Sequence, residues 1–191
     1  MPEKQTQPKR SSLVFQCAMA LLVMNSVAST LEVFLHRPGT FGQRYLGWRT
    51  LGGGIVMAVY AAAWPDGQGA LVFVMLTCFL CLGALVGCLG WARRLAGKDG
   101  GHSYYSGEPH LLRLMPRLGE KNIKRFIEPA GTVIAGYAIA KLDQALGSYL
   151  MLAGASLFSA VNFATKVRRT RALNQRDAFF EQQIVNDEAR S

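Results

Sequence analysis

A chain of 191 residues that is 50% hydrophobic and carries a formal net charge of +9 has the average make-up of one soluble domain, but its apolar residues are gathered into long blocks. The excess of cations would suit a nucleic-acid partner, except that Lys and Arg flank the apolar blocks and form no single basic face interleaved with exposed aromatics, so nucleic acid is excluded. What is expected is an all-α polytopic membrane helix bundle, with four to five transmembrane helices, an amphipathic cytoplasmic loop and a cytoplasmic C-terminal helix.

Residues 1–12 form a polar N-terminal tail with Lys4, Lys9 and Arg10. The first apolar block, 13–35, contains Gln16, Asn25 and Glu32 and is long enough to cross a hydrocarbon layer of roughly 30 Å, which takes about 20 helical residues. Ser26, Val27 and Ala28 resemble a signal-cleavage site. Cleavage there would, however, leave the remaining basic loops on the outer side, against the preference of Lys and Arg for the cytoplasm. The second block, 46–64, begins near Arg49, whose long stem can reach back to the interface, and is bounded by Trp48 and Trp64. Pro65, Asp66, Gly67 and Gln68 make a polar turn without a cation, as expected outside the cell. The third block, 70–92, ends in Trp91, Arg93 and Arg94, a stop at the cytoplasmic face.

The segment 93–125 is read as a cytoplasmic loop. Phe126–Ala140 and Gly147–Thr165 make up a membrane hairpin over 126–165, turning at Lys141–Leu146, where Lys141 and Asp143 offset each other. The tail, 166–191, continues the last helix, with Leu173, Phe180 and Ile184 at helical spacing. With four full spans, 20 of the 21 cations lie inside; with five spans and the amino terminus outside, 17 do. Both counts satisfy the orientation rule. The length of the first block favours five spans, in a bacterial cytoplasmic (inner) membrane with the 93–125 loop and the C-terminus inside.

Small residues at four-residue spacing give candidate helix-packing positions: Gly83 with Gly87, Gly136 with Ala140, Gly54 with Ala58 and Ala160 with Ala164. In lipid, helices associate by the close backbone approach that such residues permit. Cys17, Cys78, Cys81 and Cys88 all lie inside apolar blocks, where free cysteine acts as a small apolar side chain. Among the acids, Glu32, Glu128 and Asp143 sit near block ends within reach of water, and Glu128 before Pro129 reads as a first-turn acid at a helix start.

The loop carries the richest polar chemistry. His102, Glu108 and His110 are ordinary ligand types for zinc or iron. Their spacing of eight residues across a Gly-Pro loop matches no ligand pattern, and no nucleophile elbow or phosphate loop accompanies them. No catalytic residue, metal or cofactor is therefore assigned. Tyr104 and Tyr105 suit the membrane surface. Leu111–Leu118, with Arg113 and Arg117 around Pro116, suits an amphipathic segment on anionic lipid headgroups. The candidate contact residues are thus Tyr104, Tyr105, Arg113, Arg117 and Phe180. The function expected is that of a non-catalytic scaffold or accessory subunit of a larger secretion, transfer or transport assembly, with other membrane or cytoplasmic subunits and the bilayer as partners. A small metal-dependent membrane enzyme using the His102/Glu108/His110 loop and a small transporter or channel are the alternatives.

Overall fold

Long apolar stretches become helices because hydrocarbon offers no partner for a free backbone N–H or C=O, and a helix satisfies both within the segment. The computed structural model describes residues 9–42, 47–97 and 105–188, and over these it is helical, with two isolated antiparallel bridges and no strand. Helix α1 is Lys9–Leu35, α2 Gly47–Ala62, α3 Ala70–Leu95, α4 Leu111–Leu114, α5 Gly119–Asn122, α6 Glu128–Ile139 and α7 Gln144–Glu188. Single 3-10 turns at Pro65–Gly67 and Pro116–Leu118 break the connections, and a π-turn, Ile123–Ile127, joins α5 to α6.

Among the described residues, three segments are long and apolar enough to cross a membrane: Phe15–Leu35, Ala70–Arg93 and Gln144–Gln183. Helices α2, with 16 residues, and α6, with 12, are shorter. At about 1.5 Å per residue they reach roughly 24 and 18 Å, less than a hydrocarbon layer. Pro129 explains the irregular approach to α6. It lacks the N–H that would close onto the Arg125 carbonyl, and the helix widens into the π-turn just before it.

The core is shared by four helices. Val27 and Leu31 of α1, Met57 of α2, Phe79 of α3, and Tyr149 and Ala153 of α7 are buried together. Two close helix contacts hold it. Between α1 and α2, a Cβ on Gly53 would lie 2.8 Å from the Thr30 methyl and 2.9 Å from the Ser26 carbonyl oxygen, so only glycine fits there. Between α6 and α7, a Cβ on Gly136 would lie 2.8 Å from both the Gly147 carbonyl oxygen and the Met151 amide nitrogen. Gly83 is tight against the Thr50 methyl at 3.1 Å, whereas Gly87 has nothing within 4 Å.

Buried hydroxyls tie the same helices together. Tyr149 and Thr30 share a hydrogen bond of 2.9 Å between α7 and α1, and Tyr60 and Ser148 one of 2.7 Å between α2 and α7. At the turn into α7, the Asp143 carboxylate accepts the Leu146 amide at 2.7 Å, an N-cap three residues ahead. Lys141 instead lies over the Tyr137 ring, 5.5 Å from its centroid. Asp143 thus serves the helix start.

Candidate functional site

The polar end of α1 is built into a clasp with the second half of the 93–125 segment. His36 pairs with Pro109 and Phe41 with Ser106 as isolated bridges, and the backbone bonds follow suit: Arg37 N–H to Glu108 O at 2.9 Å, His110 N–H to Leu35 O at 3.0 Å and Gly42 N–H to Tyr105 O at 2.8 Å. Thr40 stitches the two strips, its hydroxyl donating to Arg37 O at 2.8 Å and accepting from the Glu108 N–H at 2.8 Å. Arg37 and Glu108 also pair through their side chains at 3.1 Å, and the Arg93 guanidinium donates to the Gly39 carbonyl. Glycine is required at 107, where φ is +87° and a Cβ would press on His36 Cβ at 3.1 Å and on the Phe41 ring at 3.2 Å.

Lys124, on the π-turn, anchors the clasp from below. Its ammonium donates to Gly107 O at 2.5 Å, Ser106 Oγ at 3.1 Å and Glu120 Oε1 at 2.7 Å, and it lies 4.5 Å from the centre of the Tyr105 ring. The Tyr105 hydroxyl donates to the same Glu120 oxygen at 2.6 Å. Burial, reinforced by this carboxylate, raises the Tyr105 pKa above the usual phenol range. Burial opposes ionisation of Glu120, but the hydrogen bonds from Lys124 and Tyr105 outweigh it and hold the carboxyl below its ordinary range.

Beneath the clasp lies a buried polar pair. His36 and Glu128 are each 2% exposed, with His36 Nε2 3.1 Å from Glu128 Oε2. The other ring nitrogen, Nδ1, is 2.6 Å from the Ser106 carbonyl oxygen, which can only accept, so Nδ1 carries a hydrogen. One proton then lies between Nε2 and Oε2. Whichever atom holds it, the pair carries no net charge, which is what a site among apolar side chains tolerates best. The second carboxylate oxygen, Oε1, is buried and has no hydrogen-bond partner.

Glu128 also lines an open apolar groove of about 400 Å³ between α1, α3, α6 and α7. Leu31, Phe34, Met75, Leu111, Gly131 and Leu150 contribute to its walls. Thr132 is beside it, but its hydroxyl donates back to the Glu128 backbone carbonyl at 2.7 Å.

Several sequence expectations change here. Glu128 does stand in the first turn of α6, as expected, but a π-turn precedes it and its side chain is covered, out of reach of water. Tyr105 is half-buried and donates its hydroxyl to Glu120 within the clasp. Glu108 spends its carboxylate on Arg37, and among the described residues no three His, Cys, Asp or Glu groups come together to hold a metal. His110, Arg113 and Arg117 are exposed, while His102 and Tyr104 lie outside the described residues. The four cysteines are free and exposed on apolar helices. Phe180 is exposed on α7, with the Arg176 guanidinium 5.4 Å from its ring centre.

Sequence reasoning missed His36 and its partnership with Glu128. The available signal was a histidine directly at the polar end of an apolar block and a carboxylate opening another. Nothing local joins positions 92 residues apart.

No family model, no curated protein and no solved structure matches this chain. The site must speak through its own geometry.

Proposed function

We propose that the protein is a non-catalytic scaffold or accessory subunit of a larger membrane assembly, and that α7 is its contact arm. The observation that carries this reading is the form of α7. It runs for 45 residues, and after its membrane-apolar first half every described residue from 168 to 183 is exposed, including Leu173, Phe179 and Phe180. A helix with no apolar face buried gains little from its own propensity in water, so an arm of this length draws its stability from a surface laid against it.

The cation distribution supports a matching orientation. Arg125 donates to Asn162 at 2.8 Å, which sets the exit of α7 at the same end as Lys124, Arg37 and Arg93. By the rule that short basic segments stay inside, this end is cytoplasmic in a bacterial inner membrane, with α2 and α6 completing the crossing between the three long helices. Exposed Arg113 and Arg117 then meet anionic headgroups.

The test is the mass of the particle released from membranes by mild detergent. The intact chain is expected in a particle whose protein mass exceeds its own 20.9 kDa. Replacing Leu173, Phe179 and Phe180 together with Ser should return it to the single-chain mass with helix content retained. A single-chain mass for the unaltered protein would overturn the reading.

A further inference from the structure

We propose that the surface shared by the π-turn Ile123–Ile127 and the exit of α7 is a binding site for an anionic phospholipid with two phosphates, its head on Arg125, Lys166, Arg169 and Lys121 and an acyl chain on the apolar strip beneath them. Two contacts fix how the elements face each other. Arg125 Nε donates to Asn162 Oδ1 at 2.8 Å, and the Phe126 and Phe158 ring centres stand 6.3 Å apart. Asn162 is held in turn, its amide donating to the Phe158 carbonyl at 2.8 Å.

Helical spacing extends this register into a cationic face. Lys166 and Arg169 follow Asn162 one and two turns along α7, within about 40° of it around the axis. Lys121 stands one turn before Arg125. All four cations are exposed, and among the described residues none of them is in an ion pair. Glu120, the acid beside Lys121, is taken by Lys124 and Tyr105. With Nε on Asn162, the Arg125 guanidinium keeps its two terminal nitrogens for a phosphate. From Asn162 to Arg169 the face rises roughly 10 Å, more than one phosphate covers.

The surface below decides the kind of anion. Phe126 and Phe158 are exposed, and the same face of α6 continues through Ala130, Ile134 and Tyr137, all exposed. The Arg125 guanidinium lies 5.1 Å from the Phe126 ring centre, where charge gives way to apolar surface. Cations above a strip bathed in hydrocarbon complement a lipid head and its chain. A soluble acidic protein would match the charge alone.

This inference rests on the reading that the bundle crosses a membrane with this end at headgroup level, and it is independent of α7 as a contact arm. The full-length protein in dodecyl maltoside is titrated with diphosphatidylglycerol, and bound lipid is counted by native mass spectrometry. One lipid should bind, more tightly than phosphatidylglycerol by about tenfold, the gain from a further charge-assisted contact. Arg125→Gln with Lys166→Gln should weaken it roughly thirtyfold, as expected for two cations removed from headgroup level. Lys166→Glu with Arg169→Glu, both at exposed positions, should give at least that loss and serves should the first pair lose helix content. Arg113→Gln with Arg117→Gln should leave binding unchanged. Loss equal to that of the first pair from this control would overturn the site in favour of diffuse adsorption. Equal affinity for phosphatidylglycerol would overturn the two-phosphate head, and displacement by inorganic pyrophosphate at the lipid's own concentration would overturn the lipid. Release of the chain from membranes by alkaline carbonate would instead remove the membrane reading beneath the proposal.

Discussion

His36 and Glu128 meet at 3.1 Å although 92 residues separate them, and the meeting fixes three things at once. It docks the end of α1 on the start of α6, seats the Ser106 carbonyl on the other ring nitrogen, and leaves Glu128 Oε1 buried without a partner.

Breaking this pair on one side leaves a buried polar group alone. His36→Ala or Glu128→Ala is expected to cost about 3–5 kcal/mol, as for other buried pairs stripped of one partner. A double replacement, His36→Leu with Glu128→Leu, should cost less than the two single changes added together. Unfolding midpoints in one detergent give the comparison, and strict additivity would show that the two side chains are not coupled.

The clasp depends on the backbone at Gly107. With φ at +87° and the Cβ position pressed against His36 and Phe41, Gly107→Val should destabilise the clasp by about 1–3 kcal/mol, the usual cost of a non-glycine residue held there. Trypsin should then cut faster at the exposed Arg113 and Arg117. Unchanged cleavage rates would mean that the clasp does not protect this segment.

Close approach of α6 and α7 should be intolerant of bulk. Gly147→Leu would drive a side chain into Ala140, whereas Gly87→Ala meets nothing within 4 Å. We expect a marked loss of thermal stability for the first and a change within about ±0.5 kcal/mol for the second. Equal effects of the two changes would contradict the packing described.

The Glu120 carboxyl is held below its ordinary range, so its contribution is present above the unfolded-state pKa near 4.5 and is lost as pH falls through the lower folded value. Tyr105 is raised, so its contribution is intact below the ordinary phenol value of 10.0 and is lost as pH climbs past it. Exchange protection of the Gly42 amide, which donates to Tyr105 O, should therefore be flat near neutrality and fall at both extremes. Tyr105→Phe should remove most of the alkaline fall.

Asp143 caps α7 through Leu146, and Asp143→Ala should cost about 1 kcal/mol. Asp143→Asn should recover most of it, because its side-chain oxygen can accept the same bond. If both variants lost equal stability, a charge effect would outweigh the cap.

The helical class was legible because each apolar block carries its own reason to be a helix: the need to satisfy its backbone within the segment. Helix α1 ends where apolarity gives way to His36, and α3 runs two residues past Arg93. The lengths of α2 and α6 were less legible. Composition counts Leu46–Trp64 and Phe126–Ala140 as apolar without registering where the Pro65 and Pro129 backbones end or widen a helix.

What the sequence by itself determined is thus a helical chain with apolar stretches fit for a bilayer and cations massed at their ends; it pointed to four to five spans, of which the described structure has three helices long and apolar enough to cross. Only the tertiary structure decided that His36 is buried on Glu128, that Tyr105 and Lys124 converge on Glu120, that an apolar groove opens between the helices, and that Glu128 Oε1 is buried without a partner. The reason is one of range. Helix formation answers to residues a few positions apart, whereas these contacts arise where small residues let α1 approach α2 and α6 approach α7, bringing together side chains that share no local pattern.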